Sequence, residues 1–595
     1  MRDRLRELSL LIGTAVRTDP WRALGTGFEP LGALMYPMFG WFLGVVADAV
    51  LERSTTRLLV GSLGLLATVG LHYVSTYVAT GIRVGLAERV GFAFDREIAQ
   101  LTSELPGLEH HERRDYQDRL ELLRQSQGIL GQSLNSIVTT ATALVGAIGT
   151  GVVLVLLHPF VLLLVLFVFP AFPIAALQQR WHTEAEAQSA TSARLARHLR
   201  TLTIDSRAAM EIRIFGLQET LLRTMDAAWL RARRPIHRAQ VKETVTGGIR
   251  SLLFASGFAL AVGFVLWQAS RGLARPGEVI TAIIVCERVQ NQVLGPAYSI
   301  AGLGRVLRAA GRLLWLREYA ARVRAQHARR ASRPAPTRLV DGIRFENVSF
   351  TYPGARTPAL RDVSIHLPAG SVVALVGENG AGKTTLVKLL SRMYEPTKGR
   401  ILVDGVELAE IDVSDWRRRL AAAFQDFMRW ELQARRAVGV GDLPRLDDDT
   451  AVRAALDRAG APTVVDELPK AGDTQLGATW PDGVDLSTGQ WQKLALGRAL
   501  MRTDPLVLFF DEPTASLDAP TEHALFERYL AAARSGAENG RITLLVSHRF
   551  STVRSADLIL VVDGGTVTEW GDHDQLMANG GLYSELYSLQ ANAYR

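Results

Sequence analysis

A chain of 595 residues, 48% of them hydrophobic, has the apolar surface for more than one sizeable core. Its net charge of +7 raises nucleic acid as a partner, but the basic residues are mostly arginines in segments that flank apolar runs, so membrane topology accounts for them and no nucleic acid is expected. A single cysteine, Cys286, excludes an intrachain disulfide, and its apolar neighbours predict a buried, unreactive thiol.

Residues 2–7 are charged in both signs and show no short apolar core with a small-residue cleavage site, so insertion is expected to rely on the first spanning helix. A hydrocarbon layer of about 30 Å needs roughly 20 apolar residues per helix. Six stretches meet that need: 23–50, 58–82, 129–157, 160–177, 249–269 and 276–303. His158-Pro159 joins the third to the fourth as a helical hairpin, and Arg271 to Arg275 leaves only a short loop between the last two. The intervals 88–127 and 178–242 are long, polar and rich in Arg and Glu at helical spacing. Short loops on one side and long ones on the other predict both termini in the cytoplasm, with helices that run on past the bilayer as levers. The basic stretch from Arg305 to Arg338 belongs on that inner side, beside anionic headgroups.

Polar residues inside a span are costly in lipid. In the sixth, Glu287 and Asn291 lie four apart, as do Arg288 and Gln292, so each pair shares a helical face. That seam reads either as the lining of a substrate passage or as contact with neighbouring helices or a second subunit. Glu29, just before Pro30, is expected at the membrane interface near the inner end of the first span.

The second half alternates short apolar runs with polar turns. Gly377-Glu378-Asn379-Gly380-Ala381-Gly382-Lys383-Thr384-Thr385 follows the strand-like run 372–376 and precedes the helix-like 386–390, which is a P-loop in its required context. Glycines let the backbone curl so that its amides face phosphates, aided by the positive end of the next helix. Lys383 then supplies charge at the β and γ phosphates, and Thr384 a hydroxyl ligand for Mg2+. Further on, the buried-strand run 506–510 ends in Asp511-Glu512, at the strand end where parallel sheets bind ligands. Asp511 is expected to hold Mg2+ through water, and Glu512 to orient and deprotonate an attacking water.

Together with Leu486-Ser487-Thr488-Gly489-Gln490, these pieces resemble the ATP-binding cassette family, whose signature usually has glycine where Thr488 stands. The resemblance covers almost all of 343–589 and implies further roles. Tyr352 matches the aromatic that stacks on adenine, and Gln425 in Phe424-Gln425-Asp426 the glutamine that contacts Mg2+ and the membrane domain. Asp518 matches the loop communicating between two ATP sites, and His548 the histidine that senses the γ-phosphate. Taken singly, Tyr352 also reads as a packed strand aromatic, Gln425 as a surface amide and His548 as a core histidine. In the family, the signature residues Ser487, Gly489 and Gln490 complete the ATP site of a second cassette, which implies a homodimer or a pairing with a related half-transporter.

The implied fold is multidomain. An all-α six-helix transmembrane domain (1–322) and a linker (323–341) precede an α/β P-loop ATPase domain with an α-helical signature subdomain (342–595). Such a chain resembles a half-transporter of the exporter type, multi-pass in a bacterial-type plasma membrane with its ATPase domain in the cytoplasm. Residues 108–120 occupy the place of its first coupling helix. Glu211-Ile212-Arg213-Ile214-Phe215-Gly216 occupies that of the second, with Phe215 as an apolar knob for the partner cassette near Gln425. His110 and His111 are adjacent and so do not share a helix face, which argues against a metal site. The run 424–432 resembles peptidase-less exporters of lantibiotics and related peptides, which places peptide or natural-product export first, lipid or multidrug export second, then siderophore-like import and a membrane-anchored ATP sensor.

Overall fold

The long apolar runs become long helices, and the alternating second half becomes two sheets with short helices around them. The structure, a computed structural model, describes residues 2–157, 164–205, 208–330, 333–511, 531, 534, 536–547 and 553–593. The chain divides into two units: Met1–Gln100 with Leu122–Leu316, and Leu101–Glu121 with Arg317–Arg595.

The first unit is helical. Among the described residues, Pro20–Leu51, Thr55–Ser103, Ser133–Leu157 and Gln218–Ser270 are long and apolar enough to cross a membrane. The fourth expected span falls partly outside the described residues, as does the His158-Pro159 turn; Leu164–Val168 and Ala171–Ile204 are helical. The sixth lies in one continuous helix, Pro276–Arg330, whose Glu287 and Arg288 dilute its hydropathy. Helix starts follow local chemistry. Asp19 accepts the Arg22 amide at 3.2 Å before Pro20, and Ser54 accepts the Arg57 amide at 3.4 Å before Thr55. Large apolar side chains such as Leu59, Leu63, Leu66, Ile148 and Leu260 stay exposed, as a lipid-facing surface requires.

With no hydrophobic force to drive helices together in lipid, close backbone approach and hydrogen bonds hold them. Gly277 donates its amide to Asp48 Oδ1 at 2.7 Å, and Thr281 Oγ1 donates to the Gly40 carbonyl at 3.1 Å. A Cβ on Gly277 would lie 2.2 Å from the Gly44 carbonyl oxygen, so only glycine allows this approach. Cys286 is fully buried in an apolar cluster with Val153, Leu154, Phe254, Val285 and Val289. Glu29 is held by Arg83 at 2.8 Å with both side chains mostly buried, so its charge is met inside the protein. A π-helical turn, Val74–Ala79, lies beside it, where Ser75 Oγ donates to the Glu29 carbonyl at 2.9 Å.

The seam on the sixth helix divides. Arg288 bonds Glu287 at 2.9 Å and stacks on Tyr36 at 4.4 Å, and Gln292 lies against Gly146. Glu287 and Asn291 stay exposed.

In the second unit, β1 (Gly342–Phe350), β2 (Leu360–Pro368), β4 (Lys398–Val403) and β5 (Val406–Glu407) form an antiparallel sheet in the order β2-β1-β4-β5. The other sheet runs β10-β9-β3-β8-β7-β6, from β3 (Val372–Val376), β6 (Leu420–Ala423), β7 (Val507–Asp511), β8 (Ile542–Val546), β9 (Leu558–Asp563) and β10 (Thr566–Gly571). All its pairings are parallel except β9 with β10. β3, β7 and β8 are buried along their whole length, which is why they read as unbroken apolar runs. Ala434–Gly439, Asp449–Arg458 and Thr488–Ala499 pack as a helical group through Ala437, Leu456, Trp491 and Leu494.

The stretch 101–121 groups with this unit. The Leu108 amide donates to the Met393 carbonyl at 3.1 Å, Glu104 pairs with Arg324 at 2.6 Å, and the Arg417 guanidinium reaches the carbonyls of Pro106, Ser391 and Arg392. Burial, with Arg392 close by, pulls the Arg417 pKa down to about 10.

Gly277→Ala is expected to cost about 1–3 kcal/mol through overpacking, read as a lower thermal midpoint in detergent. Gly81→Ala, with nothing within 4 Å of its new methyl, should leave the midpoint unchanged or raised.

Candidate functional site

Parallel strands bring their C-terminal ends to one edge, and the sequence-predicted residues gather there. The pairings Leu375 with Val546, Asp511 with Val546 and Ala423 with Phe510 set those ends level. The P-loop leaves β3 at Gly377, Gln425 follows β6, Asp511 closes β7, and Ser547 follows β8. Glu512, Asp518 and His548 lie outside the described residues.

The loop curls into the helix Lys383–Leu390 through Gly382, at φ 116°, where a Cβ would lie 2.8 Å from Leu360 Cδ2. Lys383 is buried, and its Nζ donates to the carbonyls of Gly377 at 2.7 Å and Glu378 at 2.9 Å. A buried ammonium needs such acceptors. Glu378, Asn379, Gly380 and Thr384 are exposed, whereas Ala381 and Thr385 are buried. Asp511 is buried at the strand end, and Gln425 is exposed. This arrangement offers a lysine and the start of a helix to a polyanion, with oxygen donors of the kind a hard divalent cation takes.

Tyr352 sits beside the loop's helix. Its hydroxyl is 3.1 Å from Thr385 Oγ1, and its ring meets Phe350 and Tyr394 edge-on at 4.9 and 5.4 Å. Lys388 Nζ lies 5.1 Å from the same ring. Sequence reasoning missed Tyr394 and Lys388. Lys388 lies five residues beyond the P-loop lysine, yet only the fold shows that it meets an aromatic from the loop after β1.

The signature turn caps the helix Thr488–Ala499. Ser487 Oγ accepts the Gln490 amide at 3.2 Å, and Gln490 Oε1 accepts the Ser487 amide at 2.9 Å. The Gln490 side-chain oxygen is thereby committed to shaping the turn. Ser487 is exposed and Gly489 half-buried. Thr488 Oγ1 accepts a bond from Arg429 Nη2 at 3.3 Å.

Away from this edge, His110 is buried, and burial together with neighbouring His111 lowers its pKa to about 4. Among the described residues no cluster of three or more His, Cys, Asp or Glu side chains could hold a metal ion.

This architecture defines a P-loop nucleotide-binding domain carried by a helical unit with membrane-spanning lengths. Residues 360–515 match the family model described as ABC transporter, so the second unit carries a domain of that family. It is 41% identical over 250 residues to the ATP-dependent lipid A-core flippase of Ralstonia nicotianae, covering 42% of this chain and 40% of that protein. Identity is 34% over 348 residues to the flippase of the same name from Methylococcus capsulatus, or 58% of this chain and 55% of that one. The subtilin transport ATP-binding protein SpaT of Bacillus subtilis is 31% identical over 331 residues, 55% of this chain and 52% of SpaT. The chain thus spans about half the length of the curated relatives it matches. In fold it is similar to a solved bacterial Atm1-family ABC exporter with ATP bound, at TM-score 0.71 and 24% identity, over 96% of this chain and 98% of that one. The expected order, a helical membrane part followed by an α/β nucleotide-binding part, is borne out.

The depressed His110 pKa has a sign. A histidine neutral when folded and titrating at about 6.5 when unfolded supports folding fully above that pH, and loses its contribution as pH falls from 6.5 towards 4. His110→Phe is therefore expected to flatten the fall in thermal midpoint over that window.

Proposed function

We propose that two copies of this chain, or this chain and a related half-transporter, form a multi-pass membrane exporter driven by ATP binding and hydrolysis, with the cassettes in the cytoplasm. The observation that carries the reading is the buried lysine and amide loop at the level edge of a parallel sheet, in a chain with the fold of an ABC exporter. In this reading residues 1–322 are the membrane domain, 323–341 the linker and 342–595 the cassette.

Each side chain then has a task. Tyr352 stacks on adenine, the amides of 377–385 wrap the phosphates, and Lys383 turns from its loop carbonyls to the β and γ phosphates. Thr384 and Gln425 would hold Mg2+, with Asp511 acting through water; oxygen donors suit that ion. Bound there, Mg2+ supplies charge neutralisation across the phosphates. Glu512 orients and deprotonates the attacking water, and His548 holds the γ-phosphate. Ser487, Gly489 and Gln490 of one copy complete the site of the other, and Asp518 links the two sites. Closure of the cassettes biases the membrane helices between inward-facing and outward-facing states only so far as nucleotide prefers the closed pair. Phe215, exposed beside Met210 and Ile214, is the knob for the partner cassette, where Phe424, Met428 and Trp430 are also exposed.

For the substrate, the flippase names of the relatives favour an amphipathic lipid. A peptide is the second reading, favoured by SpaT and by the run from Phe424 to Leu432.

In nanodiscs, Lys383→Ala and Glu512→Gln are each expected to lower steady ATP hydrolysis at least about a hundredfold. Turnover that survives Lys383→Ala overturns the reading. Lipid A-core added to the wild type is expected to stimulate hydrolysis where a lantibiotic does not; the opposite result moves the substrate to peptide.

A further inference from the structure

Thr488 stands where the signature of this family usually has glycine, in the first turn of the helix Thr488–Ala499, directly after its cap Ser487. Its Oγ1 accepts the Arg429 Nη2 bond at 3.3 Å, a contact for which glycine has no atom. Arg429 belongs to the segment that follows Gln425, and that segment is braced at further points. Met428 O accepts from Arg498 Nη1 at 3.2 Å, near the other end of the same helix. Glu431 Oε2 accepts from Thr479 Oγ1 at 2.9 Å and Trp480 Nε1 at 3.0 Å, and Glu431 O accepts from Gln475 Nε2 at 2.9 Å. Residues 428–431 therefore tie the stretch before the signature to the helix after it. Within this brace, Arg429 holds the point adjacent to Ser487.

We infer that Arg429 and Thr488 are positioning residues for ATP hydrolysis: their bond fixes the start of the signature helix against the Gln425 segment and presets Ser487 for nucleotide on the second copy. The inference rests on the paired ATP site proposed above. Ser487 is exposed, and its direction follows from the first helical turn through the capping box. Replacing glycine with threonine at that turn removes backbone freedom, and the side-chain link removes more, so less ordering is left for the moment when the copies close. A hydroxyl is required because it accepts; valine has the same shape and accepts nothing. The same link carries a displacement of the Gln425 segment to Ser487.

The test measures ATP hydrolysis against ATP concentration for the full chain in nanodiscs. T488V, T488G and R429A are each expected to raise KM about threefold, the size of effect one exposed charge-assisted bond supports, with kcat within about twofold. T488S should match the wild type, and T488V with R429A should be no worse than either alone. An unchanged KM, additive effects in the double variant, or a fall in kcat alone, which marks a smaller folded fraction, would each overturn the link. Should T488V fold poorly, T488S against T488G gives the same reading. Lys383→Ala run in parallel separates the two layers: turnover surviving there defeats the ATP site itself, whereas its loss with unmoved KM values in the Arg429 and Thr488 variants defeats only the link.

Discussion

A parallel sheet buried on both faces can offer polar chemistry only at its edges, and everything about the nucleotide-binding unit follows from that constraint. β3, β7 and β8 are buried throughout, so their side chains are committed to packing and the chain turns chemical only where each strand ends. Register then does the assembling: because Leu375, Asp511 and Ala423 stand level with their neighbours, residues separated by more than a hundred positions in sequence reach one edge. Lys383 shows how tightly that edge is built. Its ammonium is out of water, and the Gly377 and Glu378 carbonyls that receive it also hold the loop in its curl.

The membrane unit solves a different problem with the same currency of hydrogen bonds. Burying apolar side chains between helices gains little when the surrounding solvent is itself apolar. The strong contacts are accordingly polar and close: Asp48 on the Gly277 amide, Thr281 on the Gly40 carbonyl, Arg83 on Glu29. Where a charge cannot be placed in lipid it is paired, and Arg288 is both paired with Glu287 and laid over Tyr36. On the sixth helix Arg288 is thereby both paired and stacked, while its partner Glu287 and the neighbouring Asn291 remain exposed.

What could be read from sequence was whatever is local. The P-loop, the carboxylate that closes β7 and the signature string are contiguous stretches, and spans of about 20 apolar residues announce themselves by length. The Arg417 contacts to Pro106 and Arg392, the Tyr352, Tyr394 and Lys388 cluster, and the Arg429 bond to Thr488 were not legible, because each joins residues brought together only by the packed fold. Glu29 illustrates the limit. An acid before proline near a span's end reads as interfacial, and nothing in that local string reveals its ion pair with an arginine 54 positions away.

The two halves of the proposed ATP site are built on opposite principles. The P-loop half is preformed, with its lysine buried, its glycine geometry fixed by close contacts, and a fully packed strand behind it. The signature half is exposed, and what orders it is a short series of side-chain bonds from Ser487, Gln490, Thr488 and Arg429. Preformed elements bind without further ordering, whereas exposed ones lose freedom when a partner arrives. With the rigid half on the sheet and the adjustable half on a helix start, the second is where closure of the proposed pair would be tuned, and a threonine in place of the usual glycine is a change that acts on that half alone.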